Sequence, residues 1–132
     1  MIQNCVWVVM KNKKYKLGND FPIFEGEYKD GKYYKGKEYN YNSKLIFEGE
    51  YKDGKKWNGI FYNPKNNNNS GNLINGNGII QEYNHNGDLI FEGEYKNGKY
   101  YKGKEYDDGK LIFEGEYKDG KYYKGKLYNY HF

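Results

Sequence analysis

The sequence predicts an all-β fold, an elongated, single-layer antiparallel meander of about five stacked β-hairpins, and three observations carry that prediction. First, the stretch Leu45-Ile46-Phe47-Glu48-Gly49-Glu50-Tyr51-Lys52-Asp53-Gly54-Lys55 returns at Ile23 to Lys32, Leu89 to Lys99 and Leu111 to Lys121. Its phenylalanines, Phe24, Phe47, Phe91 and Phe113, are separated by 23, 44 and 22 residues, so a degenerate copy lies between Tyr51 and Leu89. A fixed period of this size marks a unit that buries its apolar face only against its neighbours. Second, Phe24, Gly26 and Tyr28 alternate with Glu25 and Glu27, the period-two pattern of a strand with distinct faces. Third, each copy closes on Asp30-Gly31, Asp53-Gly54, Asn97-Gly98 or Asp119-Gly120. A two-residue hairpin loop asks for positive φ at both central residues, which such pairs accept.

Taken in order, residues 2 to 10 are rich in Val, Ile and Trp and read as a strand that caps the first hairpin. Lys11 to Asp20 reads as a polar connection, completing an N-terminal segment of residues 1–20 ahead of an array spanning 21–132. In the array each first strand and turn is followed by a return strand such as Tyr33-Tyr34-Lys35-Gly36-Lys37-Glu38-Tyr39. A second turn follows at Asn42-Ser43-Lys44, Asn86-Gly87-Asp88 and Asp108-Gly109-Lys110. The middle copy departs from this plan. After the return strand Lys56 to Tyr62, an Asn-rich loop at about 63–72 is expected as a solvated insertion. Gly71 to Ile74, Asn75-Gly76 and Gly78 to Tyr83 then read as a weakened hairpin.

A two-residue loop at 30 and 31 pairs positions whose numbers add to 61, so Tyr28 faces Tyr33, Gly26 faces Lys35 and Glu25 faces Gly36. One face then carries Phe24, Gly26 and Tyr28 beside Tyr33 and the stems of Lys35 and Lys37. The other carries Glu25, Glu27 and Lys29 beside Lys32, Tyr34 and Gly36. Glycine normally weakens a strand, so Gly26, Gly49, Gly93 and Gly115 require a reason. Their missing side chains let neighbouring rings lie over the backbone.

Composition narrows the function classes. Aromatics make up 20% of the chain, eighteen of them tyrosine, while Ala, Thr and Arg are absent. The net charge is +4, but the units are nearly neutral and finely mixed in sign along the chain, which argues against a nucleic-acid footprint. Without arginine there is also no bidentate fork for phosphate or guanine edges. The single Cys5 excludes an internal disulfide framework, and the apolar run from Cys5 to Met10 is too short to span a membrane. No signal peptide is recognised, so a cytoplasmic or other intracellular reducing compartment is expected, and Asn68-Asn69-Ser70 reads as a chance match to a glycosylation acceptor.

The inventory for catalysis is thin: Ser43 and Ser70 lie in turns, His85 in a turn and His131 near the end, with no triad, phosphate loop or metal set, so no enzyme activity, cofactor or metal is expected. The pairs Glu25/Glu27, Glu48/Glu50, Glu92/Glu94 and Glu114/Glu116 read as a solvated face balanced by lysines rather than as acid–base carboxylates. The aromatic face is the candidate binding surface. A single-layer sheet has no second layer to cover it, so rings should remain accessible, and exposed aromatic patches mark interaction surfaces. Tyr28, Tyr51, Trp57, Tyr95 and Tyr117, with Phe24, Phe47, Phe91 and Phe113, line this groove.

These residues resemble the MORN repeat, a hairpin unit with an aromatic-x-Gly-x-aromatic strand, an Asn-Gly or Asp-Gly turn and a Gly-x-Gly return. Phe47 to Lys55 matches the strand and turn, and Gly76-Asn77-Gly78 supplies the Gly-x-Gly. The other copies carry Lys35-Gly36-Lys37, Lys102-Gly103-Lys104 and Lys124-Gly125-Lys126, and in this look like repeats of bacterial proteins described as YwqK-family antitoxins. The resemblance covers about residues 21 to 132 and implies a noncatalytic protein-interaction or scaffolding module binding a protein or peptide partner. It also implies two alternatives, an antitoxin-like partner of a toxin and peripheral binding to acidic phospholipid. For the last, Lys11, Lys13, Lys14 and Lys16 are the candidate lipid contacts, and self-association is expected through the terminal strand Leu127 to Phe132.

Overall fold

The computed structural model describes residues 7–10, 12–16 and 21–128, with 7–10 and Lys16 described by backbone alone. Twelve strands follow one another: β1 (Trp7–Met10), β2 (Lys13–Lys16), β3 (Pro22–Lys29), β4 (Lys32–Tyr39), β5 (Leu45–Lys52), β6 (Lys55–Tyr62), β7 (Asn69–Leu73), β8 (Gly78–Tyr83), β9 (Leu89–Lys96), β10 (Lys99–Asp107), β11 (Lys110–Lys118) and β12 (Lys121–Leu127). They form one antiparallel sheet whose spatial order is the chain order, so the all-β meander read from the sequence is the fold. No helix occurs among the described residues.

The turns form where the sequence places them. Asp30 and Gly31 take φ of 52° and 77°, and the other three tips repeat these values within a few degrees. At the opposite ends a different device recurs. Asn40 Oδ1 accepts the amides of Asn42 and Lys44, both at 2.9 Å, and Asn84 Oδ1 accepts those of Asn86 and Asp88, both at 3.0 Å. A short amide side chain that folds back on its own backbone is the local chemistry that makes Asn a turn residue.

Two stretches differ from the sequence reading. Lys13–Lys16 is a strand within the expected polar connection, paired with β1 on one side and β3 on the other. An uncovered β3 edge would leave backbone groups unpaired, and four residues are enough to cover it. Residues 2–6 of the expected capping strand and 129–132 of the terminal one lie outside the described residues. The Asn-rich loop is also shorter than expected: only 63–68 turn, while Asn69–Leu73 pairs with β6.

The register departs from a plain hairpin by one residue. Tyr28 pairs with Tyr33 as expected, but Gly26 pairs with Gly36, Glu27 with Lys35 and Glu25 with Lys37. Tyr34 is the unpaired residue of a β-bulge, and Trp57, Tyr101 and Tyr123 occupy the same place in their hairpins. A second bulge falls at Ile23, Ile46, Ser70, Ile90 and Ile112, on the other side of each first strand. Every bulge bends its strand and adds right-handed twist, so two per hairpin coil the sheet. Its aromatic face becomes the inner one: Phe61 meets Tyr95 at 5.8 Å between ring centres, and the Tyr41 amide donates to the His85 carbonyl at 2.9 Å, each pair spanning more than one hairpin.

The bulge moves Gly36 to the inner face and Lys35 and Lys37 to the outer one, reversing the sequence assignment of all three. Glycines then oppose one another strand after strand: Gly26, Gly36, Gly49 and Gly59, and again Gly93, Gly103, Gly115 and Gly125. The close approach is what demands them. A Cβ at Gly26 would stand 2.1 Å from the Lys35 carbonyl oxygen, and one at Gly59 would stand 2.7 Å from Cζ of Phe47. Leu73 and Ile80, both 2% exposed, interrupt the glycine row in the middle of the sheet.

Candidate interaction surface

The rings expected to line an open groove make up the core. Phe24, Phe47 and Phe91 are fully buried, and Phe113, Tyr51, Tyr95 and Tyr117 nearly so. The accessibility expected of these seven rings is therefore corrected: the coiled sheet covers its own inner face. Phe24 stacks on Tyr33 at 3.8 Å and Phe91 on Tyr100 at 3.8 Å, with Tyr51 and Tyr117 edge-on to the stacked pairs. Such ring pairs are worth about 0.5–1.5 kcal/mol each beyond the area they bury. Tyr28 is half-buried, and its hydroxyl has no hydrogen-bond partner among the described residues.

The tyrosine hydroxyls end on carboxylates that the sequence reading had not placed inside. Glu38 accepts from Tyr51 at 2.8 Å, Glu105 from Tyr117 at 2.9 Å and Tyr122 at 3.2 Å, and Glu82 from Tyr95 and Tyr100. Burial first, then the neighbouring carboxylate, pushes the phenols of Tyr51, Tyr95 and Tyr100 above their ordinary value; at Tyr117 burial is followed by its bond to Glu105. Adjacent rings at 33/34, 100/101 and 122/123 were the available signal. Two neighbours in a strand face opposite ways, so one ring of each pair joins the core and the other stands outside it.

The second hairpin carries Lys56 where the first, fourth and fifth carry the stacked Tyr33, Tyr100 and Tyr122. Its ammonium lies between Glu38 at 3.8 Å and Glu82 at 3.6 Å, and 5.6 Å from the rings of both Phe47 and Phe61. Burial pulls its pKa down, but the two carboxylates outweigh burial and hold it above the ordinary lysine value.

The outer face carries the paired glutamates, as the alternation indicates. Lys13 pairs with Glu25 at 3.3 Å, Lys35 with Glu27 at 3.7 Å, Lys37 with Glu48 at 3.9 Å and Lys104 with Glu114 at 3.8 Å. These side chains are about half exposed, so each pair contributes only a few tenths of a kcal/mol. A furrow of about 440 Å³ runs over Gly93, Gly103 and Gly115 between the walls formed by these charges. Of the candidate lipid contacts, the structure describes the side chains of Lys13 and Lys14, on different faces of β2. Lys13 is ion-paired outside, Lys14 lies 5.5 Å over the Tyr33 ring, Lys16 is described by backbone alone and Lys11 lies outside the described residues.

The margin formed by the hairpin tips is open. The four bulge rings each carry a lysine from the facing strand: Lys29 over Tyr34 at 5.5 Å, Lys52 over Trp57 at 4.5 Å, Lys96 over Tyr101 at 4.7 Å and Lys118 over Tyr123 at 5.4 Å. Tyr34 is 45% exposed and Tyr123 63%. Trp57, expected in the inner groove, belongs to this row, with its ring held against the backbones of Gly76 and Gly98. Directly beyond the rings, Lys29 opposes Lys32, Lys52 opposes Lys55, Lys96 opposes Lys99 and Lys118 opposes Lys121.

Among the described residues no three His, Cys, Asp or Glu side chains gather where they could hold a metal ion. No helix among them is long and apolar enough to cross a membrane. Comparison with protein-family models, curated proteins and solved structures finds no match to this chain.

Proposed function

We propose that this chain is a noncatalytic protein-interaction or scaffold module of the MORN type, and that it engages its partner along the tip margin. The observation that carries the reading is the row of bulge rings, each covered by a lysine and standing outside the packed core. Rings with a polar tip supply contact area at low entropic cost, and four of the five hairpins each offer one on the same margin. The inner rings serve the fold instead. Replacing Tyr34 and Tyr123 by Ser tests the assignment: capture of the native partner should fall while the melting temperature stays within a degree or two. Undiminished capture by the folded double variant would overturn the reading.

A further inference from the structure

Lysine occupies two different environments in this molecule, and the difference identifies the kind of partner the tip margin fits. On the outer face, Lys13, Lys35, Lys37 and Lys104 each have a glutamate within 4 Å. At the tips, none of the eight lysines forms an ion pair among the described residues, and each stands directly opposite another lysine. Like charges directly opposed in an antiparallel pair are destabilising, yet four hairpins of the sheet close on such a pair. The four tips hold eight lysines against Asp30, Asp53 and Asp119, a net charge of +5. The opposite margin, residues 40–44, 63–68, 84–88 and 107–110, holds three lysines against three aspartates and is neutral. The sign mixing read along the chain is thus undone by the fold, which gathers unpaired positive charge on one edge.

That edge is continuous. A Cβ on Gly54 would lie 3.5 Å from the Lys32 stem of the preceding tip, and one on Gly120 would lie 4.0 Å from the stem of Lys99. Between them, Gly54 and Gly98 line one cleft of about 260 Å³. The third tip, Asn75-Gly76, carries no charge; the Gly76 amide donates to the Trp57 carbonyl at 2.8 Å, which tucks this tip beneath the row.

We infer that the tip margin docks an extended acidic polypeptide segment, whose Asp and Glu side chains neutralise the lysine pairs while its backbone passes over the bulge rings. This rests on the interaction reading given above and names the chemistry of the partner. A polypeptide is favoured over a phosphate polymer because the charge is sparse, a net +5 spread over the tips of five hairpins, which suits a chain with an acidic residue every few positions better than one with a charge on every unit. It is favoured over a bilayer because the four charged tips carry no aliphatic side chain to insert, and Ile74 beside the uncharged third tip is a single one. Because the charges are exposed, the interaction is salt-dependent on the scale of a Debye length, about 8 Å at physiological ionic strength.

The test uses the full chain and a fluorescein-labelled Glu-Ser repeat peptide, read by anisotropy at low and physiological salt. The variant K32Q/K55Q/K99Q/K121Q keeps the lysines that cover the rings and should weaken binding about fourfold or more, since each exposed pair is worth about 0.2–1 kcal/mol. Its melting temperature should hold or rise as the tip repulsion is relieved. K35Q/K37Q/K102Q/K104Q removes the same charge from the outer face and should change affinity less than about twofold, the difference expected of screened, distant charge. Equal losses in the two variants, or no binding by the native chain at low salt, would overturn the inference. So would tighter binding of an oligothymidylate or of phosphatidylserine vesicles than of the peptide. If Tyr34→Ser with Tyr123→Ser abolishes partner capture while the tip variant still binds the peptide normally, the acidic partner fails and the interaction reading survives.

Discussion

The second hairpin and the fourth solve the same packing problem with different chemistry. In the fourth, Tyr100 stacks on Phe91, and its hydroxyl and that of Tyr95 both reach Glu82. In the second, Lys56 takes the place of the stacked ring, and Phe61 takes the inward place that Glu38 and Glu105 hold in their own return strands. The middle unit has thus exchanged a ring for a cation and an acid for a ring, and the cation ties Glu38 to Glu82 across it. A repeat can change its side chains if the sum of shape and charge on the inner face is kept.

Breaking the cation is the severest way to test this comparison. Lys56→Met keeps the stem but leaves Glu38 and Glu82 without their positive charge, and a buried pair broken on one side typically costs about 3–5 kcal/mol. Urea denaturation should show that loss, whereas Tyr100→Phe, which removes only a long 3.4 Å hydrogen bond, should lose about 1 kcal/mol or less. Equal losses would mean the two devices are not alternatives. A smaller effect separates close approach from backbone conformation. Gly59→Ala would put its Cβ 2.3 Å from the Glu48 carbonyl oxygen and should cost about 1–3 kcal/mol by overpacking. Gly31→Ala meets open space but needs φ of +77°, so its cost should be about 1 kcal/mol of strain.

Alkaline pH sharpens the contrast further. Tyr51, Tyr95, Tyr100, Tyr117 and Lys56 all have folded pKa values raised above their unfolded ones. Groups shifted upward contribute stability that is fully present below the unfolded pKa, about 10 for both side chains, and lost as pH rises through the folded value. The melting temperature should therefore hold at neutral pH and fall above about pH 10. Ultraviolet titration should find these phenols ionising only as the sheet unfolds; phenolate formation in the folded protein at the ordinary pKa would contradict their burial. The smallest expected effect is on the outer face, where Lys104→Gln breaks a half-exposed ion pair with Glu114 and should change stability by about 0.5 kcal/mol or less.

Much of the architecture was readable from the residues. The period, the alternation and the Asp-Gly tips place the array's strands to within a few residues, because each depends on neighbours in the chain. Lys13–Lys16 was missed since four residues of Lys and Tyr carry little strand signal of their own and are held by β1 and β3 on either side. The candidate surface was less legible. Phe24, Phe47 and Phe91 were correctly grouped on one face, but whether that face stood open depended on the coil of the sheet. Trp57 was assigned to the wrong row although alternation, which sets its counterpart Tyr34 on the outer side, sets Trp57 there as well.

By itself, then, the sequence determined an antiparallel meander with its turns, its first-strand faces and its glycine positions, since these follow from φ preferences and a two-residue period. The tertiary structure decided which side of each return strand faces inward, because one bulged residue reverses every side chain beyond it. It also decided that Glu38, Lys56 and Glu82 meet and that the unpaired lysines share one margin, because both depend on the coiling of the sheet, which brings together residues far apart in the chain.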